Sequence, residues 1–325
     1  MKKLNFILIG ILSINAISQS YPPAAGQAGS TAIAHDSDLF VNWASGVEIE
    51  RGLINIADPE AVDQGSNYAT YGEPEVALGS ADNNVVSLGD AGIAILTFDT
   101  PIGNGPGFDF AVFENAFNDT FLELAFVEVS SDGENYFRFP AHSETQTDTQ
   151  VGGFGSVDPT YINNLAGKYR AQFGTPFDLD EIEDDPLLDK NQITHVKLID
   201  AIGTIAPEFA TYDDFGNIVN EPYPTPFWSS GFDLDAVGVI NQFTMGTVEE
   251  SLAHLKIYPN PTKNQFFIGI DDKAEVQILD TSGKIVSANS IENNQAIDVS
   301  NLEKGLYFIQ IQVGKSKSLH KLIKK

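Results

Sequence analysis

The apolar residues of this chain fall in short alternating runs, and that confines it to strands. The two strongest, residues 92–98 and 122–130, are rich in β-branched and aromatic side chains and too short for a buried helix. Between them a loop poor in side chains, residues 101–107, leads into Phe108, Asp109, Phe110, Ala111, Val112, Phe113, Glu114 and Asn115. After them Ser131, Asp132, Gly133, Glu134 and Asn135 form a turn signal before Tyr136, Phe137, Arg138 and Phe139, the pattern of a hairpin. Further strands are expected over 194–200 and 232–240. Residues 141–192, broken by Gly152-Gly153, Asp158-Pro159 and Asp184-Asp185-Pro186, are poorly periodic and read as surplus loop. The expected fold class is all-β, a sandwich with long loops.

Charge cuts the chain into three parts. The total of −27 comes from 45 acids and 18 bases. Residues 1–18 hold two lysines and no acid, residues 19–247 hold 36 acids and 6 bases (net −30), and residues 248–325 hold 9 acids and 10 bases (net +1). Lys2 and Lys3, the apolar run from Leu4 to Ile14, and the small residues Ala16 and Ser18 are laid out as a secretory signal peptide, with Gln19 as the expected mature start. The run is shorter than the ~20 residues that cross a bilayer, and no later stretch is apolar enough, so no transmembrane segment is expected. With no cysteine, disulfides are excluded. A passenger as acidic as 19–247 repels phosphate backbones and anionic lipid, which excludes nucleic acid as a partner.

Residues 248–325, after a linker expected at about 242–254, have their own grammar. Tyr258-Pro259-Asn260-Pro261 opens them, Asp280 to Lys284 gives a D-x-x-G-K turn, Gly305-Leu306-Tyr307 starts a long alternating run, and the end is lysine-rich. The alternation alone gives a small antiparallel sandwich. The four motifs in this order resemble the type A C-terminal sorting domain of the type IX secretion system of Bacteroidetes, with an Ig-like fold. That resemblance, over about residues 250–325, implies recognition by the outer-membrane translocon. It also implies removal of the domain, and delivery to the cell surface or the extracellular medium.

In the passenger, the strand at 127–130 followed by Ser131, Asp132, Gly133 and an aromatic at Tyr136 is similar to a hairpin of discoidin-type, galactose-binding-like jelly rolls. The wider pattern resembles uncharacterised bacterial cell-surface proteins and implies no activity.

The candidate chemistry is cation binding. Calcium takes six to eight oxygen ligands and needs clustered carboxylates. Asp233 and Asp235, two apart on a strand, are expected to converge on one face. Asp109 opens the strand that Glu114 and Asn115 close, and alternation directs Glu114 to the core rim. A carboxylate against an apolar face is unfavourable unless paired, and bases are scarce, so Asp109, Glu114, Asn115, Asp233 and Asp235 are the expected calcium ligands. His35, Asp36, Ser37 and Asp38 read as turn caps, and the acidic run 178–185 as a solvated loop. A proline-fixed loop carries Tyr223, Phe227 and Trp228, aromatic faces suited to an extracellular glycan or small molecule. No H-E-x-x-H, G-x-S-x-G or cysteine nucleophile is present. The expectation is a secreted, calcium-stabilised, non-catalytic binding protein. The alternatives are ligand capture, for example of a cobamide, for a TonB-dependent transporter, and a polysaccharide hydrolase.

Overall fold

A computed structural model of the protein describes residues 21–243, 255–270, 273–281, 284–292, 295–313 and 316–325. The segment read as a signal peptide and most of the expected linker lie outside these residues. The chain divides into two compact units between Phe243 and Thr244.

The first unit bears out the all-β expectation. One sheet runs in the order β1 (Ile33–Ala34), β12 (Phe173–Phe177), β6 (Phe110–Glu114), β14 (Asp233–Val239), β2 (Asn42–Trp43), with β4 (Val86–Ser87) also paired to β14. The other runs β11 (Leu165–Ala166), β7 (Ala125–Ser130), β13 (Ile193–Asp200), β5 (Ile93–Ile102), β3 (Gly46–Glu50), with β8 (Phe137–Arg138) paired to β7. Strands β9 (His142–Ser143) and β10 (Ile162–Asn163) form a separate antiparallel pair.

The sheets close on one core. Phe110, Val112, Leu234, Val237 and Val239 meet Leu96, Val127, Val129, Val196 and Leu198 in a single buried cluster. Burying such side chains, at roughly 1.5–3 kcal/mol each, drives the pairing. Strand β6 is apolar at successive positions because both its faces are covered. Ala111 and Phe113 pack outward under Phe40 and Trp43, while Phe110 and Val112 enter the main core.

The structure departs from the sequence reading at two places. Residues 141–192 are not mere surplus: they supply β9 to β12, and β12 lies beside β6 in the first sheet. Its sequence, Phe-Gly-Thr-Pro-Phe, hides a strand behind a glycine and a proline. The run at 122–130 also starts later than its apolar content suggests. Pairing begins at Ala125, and Leu122, Glu123 and Leu124 approach it as irregular backbone.

The second unit has a three-stranded sheet, β15 (Ile257–Tyr258), β16 (Gln265–Ile268), β19 (Ile297–Asp298), and a four-stranded one, β18 (Ile285–Ile291), β17 (Ala274–Leu279), β20 (Gly305–Val313), β21 (Ser316–Lys324). Phe266, Ile268, Val276, Ile278, Tyr307, Ile309 and Ile311 belong to its shared core, as the alternation in the sequence requires. Asp280 accepts a hydrogen bond from the Lys284 N–H at 3.1 Å, closing the turn between β17 and β18.

The β7–β8 hairpin is built by its turn. Asp132 Oδ1 accepts from the N–H groups of Glu134 and Asn135, both at 2.8 Å, which holds its carboxyl below the usual range. Gly133 sits at φ 79°, where a Cβ would lie 2.8 Å from the His195 ring. Gly133→Ala is therefore expected to lower unfolding free energy by about 1–3 kcal/mol in a denaturant titration. An unchanged midpoint would show that the turn does not require the left-handed conformation.

Candidate functional site

Three carboxylates meet at one end of the sandwich because three strand ends meet there. Glu114 closes β6, Asp233 opens the adjacent β14, and Glu123 lies two residues before β7 of the facing sheet. One oxygen from each lies within 4.8 Å of the others. Glu114 is 1% exposed and Glu123 7% exposed. Asp233 is half-buried as a residue, with its carboxylate turned to the other two.

Their surroundings hold the strand ends and leave acceptors free. Glu114 Oε2 accepts from Ala116 N–H at 2.7 Å, whereas the buried Glu114 Oε1 has no hydrogen-bond partner among the described residues. The Ser87 hydroxyl donates to Asp233. Three more buried acids brace backbone, two of them directly beside the first three. Glu221 accepts from Leu124 N–H, next to Glu123, at 2.6 Å. Asp200 accepts from Phe232 N–H, next to Asp233, at 2.7 Å and from Ala91 N–H at 3.0 Å. Asp90 accepts from Ile56 N–H at 2.7 Å.

Five of the six bases of the unit are engaged away from this cluster, and the sixth, Arg51, lies beside Asp233 without pairing with it. Of the six in residues 19–247, Arg138 and Lys197 bind Glu128 at 2.9 and 2.5 Å, Arg170 binds Asp119 at 2.5 Å, and Lys190 binds Asp184 at 2.8 Å. Lys168 donates to the Ile162 carbonyl, and burial lowers its pKa to about 7. Arg51 donates to the carbonyls of Tyr71, Gly72 and Ser87. Its charge favours ionised Asp233, but among the described residues no ion pair reaches Glu114, Glu123 or Asp233.

Burial accordingly pushes the carboxyls of Glu114, Glu123, Asp200 and Glu221 well above the usual range, with repulsion from neighbouring acids adding to it. Burial likewise raises Asp233 to about 7 and Asp90 to about 6. The donor set is all oxygen, which suits a hard divalent cation. Ligand oxygens across a calcium ion stand at most about 5 Å apart, given bonds of about 2.3–2.6 Å. The 4.8 Å grouping and the unpartnered Glu114 Oε1 fit such an ion.

The fold separates the residues expected from sequence. Glu114 and Asp233 come together, with Asn115 contributing its N–H to Glu114. Asp109 is at the far end of β6, where Gly105 N–H, Leu179 N–H and Asn241 Nδ2 donate to it at 2.7, 2.8 and 3.0 Å. Asp235 accepts from the N–H groups of Asp82 and Asn83 at 3.0 and 3.1 Å. A register shift between Leu234 and Ala236 breaks the two-residue repeat that would align it with Asp233.

Glu123 is absent from the expected set, although its position between Leu122 and Leu124 in an apolar run is a readable signal. Asp90, Asp200 and Glu221 give none, because their partners are far away in the chain. In the acidic run, Asp178 caps a short 3-10 turn and Asp184 pairs with Lys190.

The aromatic loop divides. Tyr223, expected to be exposed, is 7% exposed and donates its hydroxyl to Asn55 at 2.8 Å. Trp228 packs edge-on against Tyr71 at 4.9 Å. Phe227 stays at the surface, 5.8 Å from the ring of Phe154.

Comparison with known proteins places the second unit. Residues 256–325 match the secretion system C-terminal sorting domain. The protein is exported through the type IX route to the cell surface or the extracellular space, and its tail engages the secretion machinery. No curated protein matches the chain. Among solved structures it overlaps a Ruminococcus gnavus β-glucuronidase bound to uronic deoxynojirimycin, at 10% identity, 88% of this chain, 45% of that chain and TM-score 0.21. It also overlaps a Faecalibacterium prausnitzii β-glucuronidase, at 11% identity, 90% and 46% of the two chains and TM-score 0.21. The chain spans less than half the length of these enzymes, and likeness at this level carries no argument about fold or chemistry. Among the described residues no helix is long and apolar enough to cross a membrane.

Two outcomes are expected. Deleting residues 256–325 leaves the passenger inside the cell envelope, as read by fractionation; undiminished release would mean that export does not use this domain. The second concerns pH. The buried acids have folded pKa values above their unfolded ones, with Asp90 near 6 and Asp233 near 7. In chelator the folded state therefore binds more protons between about pH 4 and 7, and stability is lost as pH rises through that window. Melting temperature should fall from pH 5 to pH 7.5 in chelator, and a flat profile would show that the acids are not held in a raised state.

Proposed function

We propose that the passenger is a non-catalytic binding module for an extracellular glycan or similar ligand, displayed by type IX export and stabilised by a calcium ion on Glu114, Glu123 and Asp233. The observation that carries the metal is the unpartnered, buried Glu114 Oε1 inside a group of three carboxylates. Calcium suits it because the donors are carboxylates, and among the described residues no base forms an ion pair with them.

Burial supports binding over catalysis. A glycosidase needs a carboxyl pair that touches the scissile bond, and Glu114 and Glu123 are too enclosed, at 1% and 7% exposure, for a sugar chain to reach. Their chemistry is directed inward, at the strand ends. Ligand contact falls to surface aromatics such as Phe227.

Calcium at a hundred times its Kd should stabilise the chain by about 2.7 kcal/mol, a rise of roughly 5–10 °C in melting temperature for a domain of this size. Glu114→Gln should remove that rise while the chain still folds, since the amide leaves no charge to bury. If calcium and chelator give the same melting curve for the wild type, the metal assignment is wrong. New reducing ends released from a bound glycan by the wild type and not by Glu114→Gln would overturn the non-catalytic reading.

A further inference from the structure

Three loops at the carboxylate end bring four phenylalanines into one surface row. Phe117 and Phe121 lie 5.5 Å apart, Phe121 and Phe154 6.4 Å, and Phe154 and Phe227 5.8 Å, with successive ring planes inclined by 30°, 24° and 35°. Phe117 and Phe154 are 79% and 78% exposed and Phe227 41%. Large apolar side chains this exposed and this contiguous mark an interaction surface.

The row is braced from beneath. Asn118 Oδ1 accepts from the Thr120 N–H, the Thr120 hydroxyl and the Phe121 N–H at 2.9, 3.0 and 3.0 Å, which folds residues 117–121 back so that the first two rings meet. The Val157 N–H donates to the Thr120 carbonyl at 2.7 Å, joining the second loop to the first. The Tyr223 N–H donates to the Val151 carbonyl at 3.0 Å, joining the third to the second. At Gly153 a Cβ would lie 2.2 Å from the Pro224 carbonyl oxygen, so the second and third loops touch through backbone. A row held this way loses little conformational freedom when a ligand arrives.

The chemistry of the three loops selects the occupant. In a passenger with a net charge of −30, residues 115–122, 152–157 and 224–231 contain one charged side chain, Asp119. That one is paired with Arg170 at 2.5 Å. The other polar side chains of these loops are neutral, among them Thr120 and Ser156, joined hydroxyl to hydroxyl at 3.3 Å, and the carboxylates that border the loops are occupied, Asp63 by the Trp228 N–H and Asp158 by Thr160. An anionic chain or an anionic lipid is repelled by the domain as a whole, and so is a second copy of it. A cationic partner would find no free carboxylate in these loops. We propose that the row binds an uncharged polysaccharide, its sugar rings lying along the phenylalanines and its hydroxyls meeting the flanking hydroxyl and amide groups. This rests on the reading of the passenger as a glycan-binding module and gives that reading a surface and a ligand class.

The test is affinity electrophoresis of the secreted chain in gels containing soluble uncharged polysaccharides (a β-1,4-glucan, a β-1,3-glucan, an α-glucan and a mannan), with polygalacturonate as the anionic control. The wild type should be retarded by at least one neutral polymer and not by polygalacturonate. Phe117→Ala and Phe154→Ala, at exposed positions that leave melting temperature unchanged, should each weaken retardation about tenfold, the loss of one aromatic face. Retardation of the wild type and both variants alike would place the glycan elsewhere and overturn the row while leaving the proposed function standing. Absence of retardation in every polymer, together with silence on a glycan array, would overturn both. Flotation with phosphatidylcholine vesicles that is lost in Phe117→Ala would overturn the polysaccharide in favour of a membrane. A sedimenting dimer that Phe117→Ala makes monomeric would overturn it in favour of self-association.

Discussion

Buried carboxylates without basic partners are the constraint around which this passenger is organised. Charge in a low-dielectric interior is tolerated only when it is paired, hydrogen-bonded or neutralised by protons. Here the six bases of the passenger are engaged at Glu128, Asp119, Asp184 and backbone carbonyls. Asp200, Glu221 and Asp90 reach a tolerable state by accepting backbone N–H groups. Glu114, Glu123 and Asp233 do so less completely, and the unpartnered Glu114 Oε1 is the sharpest sign of it. A proton or a metal ion can complete the set. The two differ in sign: proton uptake favours the folded state as pH falls, whereas a cation binds the ionised form and holds better as pH rises.

The same acids fix the loops that reach the surface. Residues 115–122 leave β6 directly after Glu114 and return at Glu123, so two of the three grouped carboxylates stand at the two stems of the loop carrying Phe117 and Phe121. The loop carrying Phe227 runs into Phe232, whose N–H is held by Asp200, and then into Asp233. The buried carboxylates and the surface phenylalanines are thus joined through short stretches of backbone.

How much of this is legible in the sequence depends on how local each feature is. The all-β class, the β7–β8 hairpin and the inward direction of Glu114 are legible because strand alternation and turn chemistry act over a few residues, whereas the meeting of Glu114 with Asp233 depends on the pairing of β6 with β14, strands far apart in the chain. Asp235 is misaligned by the two-residue repeat because a bulge, which leaves no mark in the pattern, intervenes at Leu234. Glu123 escapes because its apolar neighbours suggest a strand that in fact starts at Ala125. Phe117, Phe121 and Phe154 are silent because aromatic residues in irregular loops have no period. Only tertiary hydrogen bonds, such as Val157 to Thr120, bring them into line. Tyr223 reads as exposed for the same reason, since its partner Asn55 is 168 residues away in the chain.

The acidity of the passenger also bears on why the aromatic row can exist. A neutral domain with phenylalanines at 79% and 78% exposure would tend to associate through them, because contact between two such faces removes apolar surface from water without opposition. Here every approach of a second copy brings two bodies of net charge −30 together, and the repulsion opposes that contact at the ionic strengths where screening is incomplete. An uncharged polymer meets no such barrier. The excess of acids therefore acts at two depths: a few buried carboxylates set the strand ends, and the many exposed ones oppose self-association through an apolar surface. The sorting domain, with net charge +1 over 248–325, carries no such excess of acids, and it is this tail that directs export.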